Sequence, residues 1–129
     1  MSEPVKENKP MYLEMEFISL HDTAKLMASQ FYEDRFVAEY VQLKIRYEKL
    51  KALLTKWEAF NKTDCSAVTV TLPGSKSYTE KLTDHLGFTP SCPFDLLREQ
   101  QHTMGLYLHQ LEIRSCMENI NLLGFTIKL

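Results

Sequence analysis

The sequence predicts an α+β fold that is mainly helical, in which two long helices form an antiparallel hairpin beside a small β-sheet. Three observations lead there. Phe36, Tyr40, Leu43, Tyr47, Leu50, Leu54 and Trp57 recur at steps of four and three, the stripe with which a helix presses one seam against a partner. Phe94, Leu97, Gln101, Met104, Leu108, Leu111 and Ser115 repeat that spacing, which supplies the partner. Short alternating or β-branched runs stand at the beginning, middle and end of the chain, enough for a few strands.

In chain order, residues 1–10 read as a polar, loosely attached tail, and 11–129 as one domain. "MYLEMEFISL" sets Met11, Leu13, Met15 and Phe17 against Tyr12, Glu14 and Glu16, the period of a half-buried strand. Ser19 and Asp22 stand at capping-box spacing before "TAKLMASQ", so a helix begins there. Residues 20–60 contain no Pro or Gly; one break near Ser29 keeps the helix from being unusually long. "NKTDCS" ends the long helix near Asn61. An inserted segment, 62–91, then carries a strand at Ala67–Leu72, a turn at "PGSKS" and a short helix. Ser77 and Glu80 cap that helix and Gly87 terminates it. Pro93 and Asp95 suit the first turn of the last helix, which runs to about Glu118. "LLGFTIKL" closes the chain as a strand able to pair with those near residues 12 and 68.

The last helix also carries Leu96, Leu106, Ile113 and Met117 away from its seam. A helix apolar on two faces is covered twice, here by its hairpin partner and by either the sheet or a second copy of the chain. A homo-oligomer, dimer to hexamer, is the expectation.

A net charge of −2 excludes a general binder of DNA or RNA polymers, which would be strongly basic. No run reaches the roughly 18 apolar residues of a membrane helix, and "MSEPVKENKP" is not a signal peptide, which together place the chain in a cytosol. Cys65, Cys92 and Cys116 lie far apart without a CxxC pair, which fits reduced thiols rather than a zinc site. His102 and His109 are two turns apart, too far to share a metal without further ligands, and no nucleophile has an assigned base. Neither a catalytic residue, a metal nor a cofactor is expected. "LPGSKS" lacks P-loop spacing and reads as a capped turn, with an anion site at the following helix start as the sharper alternative.

The seam edges are net basic in an acidic chain. Lys44, Arg46 and Lys51 flank the first seam and Arg98 and Arg114 the second, against Glu39, Glu58 and Glu112. Two readings stand: interhelical ion pairing, which contributes little at a surface, or a cleft for a small anion bearing flat bases, with arginine forks for phosphate and Tyr32, Tyr47 and Tyr107 for stacking.

The two helices resemble the small two-helix hairpin proteins of bacteriophages, including those of crAss-like phages. The resemblance rests on Arg35, Glu39, Tyr40 and Leu43, followed by Leu96, Leu97, Gln100, Met104, Tyr107, Leu108, Leu111 and Arg114. More distantly, such hairpins are similar to phage anti-CBASS and anti-Thoeris sponges, oligomers that sequester cyclic-nucleotide immune signals. In the anti-CBASS sponges an aromatic early in the first helix and a basic residue about four turns later hold the ligand; Phe31 or Tyr32 with Arg46 has that spacing, without the surrounding motif. The resemblance implies a phage anti-defence protein in the cytoplasm of an infected bacterium. It would bind a cyclic or ADP-ribose-type nucleotide without cleaving it, Tyr32 stacking on a base and Arg35, Arg46 and Arg98 holding phosphates. Phe31, Lys44, Tyr107 and Arg114 complete the expected site. The rival expectation is a structural or regulatory phage protein that acts through protein contacts and holds no small ligand.

Overall fold

The computed structural model describes residues 8–65 and 77–129. The strand expected at Ala67–Leu72 and the "LPGSKS" turn up to Lys76 lie outside the described residues, as do residues 1–7 of the tail. The described elements are β1 (Phe17–Ser19), α1 (Asp22–Met27), α2 (Tyr32–Phe60), α3 (Tyr78–Leu86), α4 (Phe94–Met117) and β2 (Thr126–Lys128), with a 3₁₀ turn at Met11–Glu14 and a π turn at Asn61–Cys65. The fold is mainly helical with a small two-stranded sheet. It divides into two compact units, Met1–Tyr47 with Thr103–Leu129, and Glu48–His102.

Local sequence explains most of the element ends. Ser19 and Asp22 bond reciprocally: the Ser19 amide and hydroxyl donate to the Asp22 carboxylate at 2.9 and 3.0 Å, and the Asp22 amide donates to Ser19 Oγ at 3.2 Å. That closes the turn ahead of α1 and pulls the Asp22 carboxyl below its ordinary pKa, chiefly through the Ser19 amide. The helix stops at Met27 and the chain restarts as α2 at Tyr32, the break expected near Ser29. The capping box at α3 is complete, with Ser77 accepting from the Glu80 amide, and Gly87 ends α3 at φ 86°, where a side chain would be strained.

The first unit is built around α2 from both sides. Phe36 and Tyr40 are buried on the expected seam, but Val37, Val41 and Ile45 are as deeply buried beside them. They form one cluster with Tyr12, Ile18, Leu26, Leu108, Leu111 and Ile120. The apolar stripe is therefore wider than a coiled-coil seam, as a helix wrapped by a small globular unit requires. On α4 every expected seam residue is buried or half-buried, and Gly105 lets the Tyr47 ring approach: a Cβ there would stand 3.3 Å from Tyr47 Cε1. β1 and β2 pair in parallel, Ile18 opposite Ile127, so the terminal strand closes over the start of the unit.

The strand expected from residue 11 begins only at Phe17. Pro10 and the Met11–Glu14 turn come first, and the amides of Met11 and Tyr12 bond to the Asp34 side chain, not to a neighbouring strand. The turn also reverses the expected face. Tyr12 is buried, while Met11 and Leu13 are 42% and 55% exposed.

In the second unit Leu54, Trp57, Phe60, Leu82 and Leu86 form a separate core, flanked by Leu50, Phe94 and Leu97. Trp57 meets Phe94 edge-on at 5.2 Å, and its indole N–H donates to Tyr78 Oη at 3.3 Å. The exposed His85 ring lies 5.4 Å from the Phe60 ring at a tilt of 36°, with Nε2 3.2 Å from the Lys56 carbonyl oxygen.

Candidate functional site

The first unit presents two neighbourhoods with chemistry. One is a cation–aromatic cluster where the start of α2 meets the end of α4. The Arg114 guanidinium lies 5.1 Å from the centre of the Phe36 ring, donates to Tyr32 Oη, and bonds Glu118 Oε2 through Nε at 3.1 Å. Tyr32 packs on Phe36 at 6.1 Å. The Glu118 carboxylate beside the Tyr32 hydroxyl raises the phenol pKa, and the phenol lowers that of the carboxyl; the bond to Glu118 likewise raises that of Arg114. Arg114 thus links Tyr32 and Glu118 over the buried Phe36 ring. Arg114 remains about half exposed, and its planar fork has more donors than these partners use.

The other neighbourhood is a cavity of about 330 Å³ where Lys9, Pro10 and Met11 cross the turn that precedes α2. Glu14, Ser29, Gln30, Phe31 and Asp34 complete its lining. The turn and the strap are locked together by Asp34, a fully buried carboxylate in the first turn of α2. It accepts from the Met11 amide at 2.9 Å, the Tyr12 amide at 2.8 Å and Ser29 Oγ at 2.6 Å. Ser29 Oγ accepts from the Phe31 amide at 3.0 Å, so this network ties the strap to the turn that precedes α2.

The expected site residues are distributed as follows. Tyr32 and Arg114, separated by 82 positions in sequence, are brought into direct contact. Phe31 lines the cavity. Arg35 turns back to donate to the Ser29 carbonyl at 2.8 Å, holding the turn. Lys44 lies 6.0 Å from the centre of the Tyr47 ring. Arg46 is exposed on α2, and Tyr107 is partly exposed on α4. Arg98 belongs to the second unit, where it pairs with Glu58 at 3.2 Å and lies 5.9 Å from the Phe94 ring centre; it has the interhelical ion pair that the blander reading of the seam edges expects. Sequence reasoning did not identify Asp34, Glu118 or the cavity. Glu118 stands four residues after Arg114, a spacing that could have signalled the pair; Asp34 had no such local cue.

Among the described residues no group of three or more His, Cys, Asp or Glu is placed to hold a metal ion, and no helix is long and apolar enough to cross a membrane. Cys92 and Cys116 are exposed free thiols.

A family model described as Sequestin matches residues 30–69, which covers the turn before α2, all of α2 and the π turn. No curated protein and no solved structure matches the chain.

Proposed function

We propose that this chain sequesters a small nucleotide signal, cyclic or of the ADP-ribose type, without turning it over, as a phage anti-defence protein would in an infected bacterium. The observation that carries the reading is the Arg114 guanidinium held against Phe36 and Tyr32, an exposed cation beside aromatic faces, which suits a phosphate next to a base. The Sequestin match supports it, because the name denotes sequestration and the matched stretch contains Phe31, Tyr32, Arg35, Lys44 and Arg46. Arg114 and Tyr107 face the ligand from α4, with α2 and α4 paired as an antiparallel hairpin. Tyr40 beside Glu112 and Tyr47 beside Gly105 support that pairing within the first unit. Arg35 and Arg98 act mainly as structural cations, given their bonds to Ser29 and Glu58.

The functional oligomer is a homo-oligomer joined through the outer face of α4, and burial of the ligand in it would strengthen charge-assisted bonds by excluding water. That same face supports the second reading, a protein-contact role with no small ligand, because Leu106, Ile113 and Met117 stand exposed along it.

The test is thermal unfolding of the purified protein with a panel of cyclic di- and trinucleotides and cyclic ADP-ribose isomers, with native mass spectrometry on the same samples. A ligand at a hundred times its Kd should stabilise the native state by about 2.7 kcal/mol. The expected result is one clear shift with the ligand recovered at unchanged mass, reduced by Arg114→Ala. No shift across the panel overturns the nucleotide reading, and a changed ligand mass overturns sequestration in favour of an enzyme.

A further inference from the structure

Arg114 is not a bare cation. It bonds the Glu118 carboxylate through Nε at 3.1 Å and donates to Tyr32 Oη from one terminal nitrogen. A guanidinium has five N–H donors, so donors remain on both terminal nitrogens, the pair that a phosphate group takes as a fork. Solvent reaches the group, because the Arg114 side chain is 48% exposed.

The charge of the cluster separates it from an isolated arginine. One guanidinium and one carboxylate sum to zero, and the Tyr32 phenol, whose pKa is raised chiefly by the Glu118 carboxylate, stays neutral. Glu118 keeps its charge, since its bonds to Tyr32 and then to Arg114 lower the pKa of its carboxyl. Arg35, the next cation after Tyr32 along α2, is held at the Ser29 carbonyl oxygen instead. An isolated cation attracts a doubly charged phosphate more strongly than a singly charged one. Beside Glu118 the second charge gains from Arg114 and loses to Glu118, which offsets that advantage, and it still carries the larger cost of leaving water.

We infer that Glu118 sets the charge preference of this site, so that Arg114 takes a singly charged phosphodiester and gives no advantage to the doubly charged terminal phosphate of an open mononucleotide. The inference deepens the nucleotide reading and rests on it for the choice of a phosphate as ligand. It suits both ligand types of that reading, because a ring-closing phosphodiester and the pyrophosphate of an ADP-ribose each carry one charge per phosphorus. Glu118 is then a specificity residue: it weakens the grip on phosphate in general and excludes nucleotides that end in a phosphomonoester.

The experiment compares adenosine 5′-monophosphate with its phosphate methyl ester at about pH 8, above the second phosphate pKa of about 6, where the first carries two charges and the second one. Both are titrated into the full chain by calorimetry, and the affinity lost in Arg114→Ala is the part that belongs to this site. The wild-type chain should bind the methyl ester at least as tightly as the monophosphate. Glu118→Gln, which keeps an oxygen beside Arg114 and removes the charge, should shift the ratio of the two affinities about three- to tenfold towards the monophosphate. Glu118→Asp, which keeps the charge, should retain the wild-type ratio. A residue that only positions Arg114 would change both affinities by one factor and leave their ratio alone. A wild-type preference for the monophosphate, an unchanged ratio in Glu118→Gln, a Glu118→Asp ratio like that of Glu118→Gln, or no Arg114-dependent binding of either probe overturns the inference. The two proposals fail separately. Retention of a cyclic nucleotide that depends on Arg114, with a ratio indifferent to Glu118, sinks the charge preference alone. A ratio that follows Glu118 while no cyclic nucleotide or cyclic ADP-ribose isomer is retained sinks sequestration of such a signal alone.

Discussion

Asp34 shows how one residue can determine the start of a fold. Its carboxylate is fully buried and accepts two main-chain amides from the 3₁₀ turn and the Ser29 hydroxyl from the turn before α2. Asp34→Ala would leave those donors without an acceptor, and each unsatisfied buried donor costs about 1–3 kcal/mol. We expect a loss of about 2–4 kcal/mol in urea unfolding, within the range for breaking a buried polar network. Amide exchange at Met11 and Tyr12 should become fast relative to the centre of α2. If stability falls but those two amides remain protected, the strap is held by something other than Asp34. The same residue explains the main misreading of the sequence. Alternation from Met11 to Phe17 is a correct local signal for a strand, but it carries no information about an acceptor 22 positions away that takes the amides a strand would have offered to a ladder.

At the scale of elements, what was legible was what is decided within one helical turn. The bonded Ser19–Asp22 turn ahead of α1, the Ser77–Glu80 cap, the break near Ser29 and the left-handed end at Gly87 each depend on residues close in sequence, and the structure has them all. The α4 seam was legible because its helix buries one narrow stripe. The α2 stripe was read too narrowly. A heptad rule selects Phe36 and Tyr40 and passes over Val37, Val41 and Ile45, which a globular unit buries as well. Of the candidate cluster only the residue types were legible: Tyr32 and Arg114 are each expected to hold ligand, but nothing local says that they touch. Gly87 provides an element-scale test. A Cβ at that position would meet nothing within 4 Å, so Gly87→Ala should cost only the left-handed backbone penalty of about 1–2 kcal/mol. Denaturant midpoints should show that loss with an unchanged m-value; a neutral substitution would mean that α3 can end without its left-handed residue.

For the whole molecule the decisive feature is the outer face of α4. Leu106, Ile113 and Met117 follow one another at steps of seven and four, which places them on a single stripe opposite the seam residues Leu108, Leu111 and Ser115. The seam is buried; the outer stripe is not, and Met117 is 77% exposed. Each apolar side chain on such a stripe contributes about 1.5–3 kcal/mol if it is fully covered. A second copy is the simplest cover, since a symmetric pair sets each stripe against its twin and needs no further partner. Sedimentation of the purified chain should therefore give a mass above the 15.1 kDa of one copy, with Ile113→Asp returning it towards that value. Circular dichroism should change little in that variant, because Ile113 is exposed in the single chain and its loss leaves the α4 seam intact. A wild-type chain that remains at one copy over a wide concentration range would overturn the homo-oligomer. The stripe would then favour contact with a different protein, and the ligand would have to be held by a single chain.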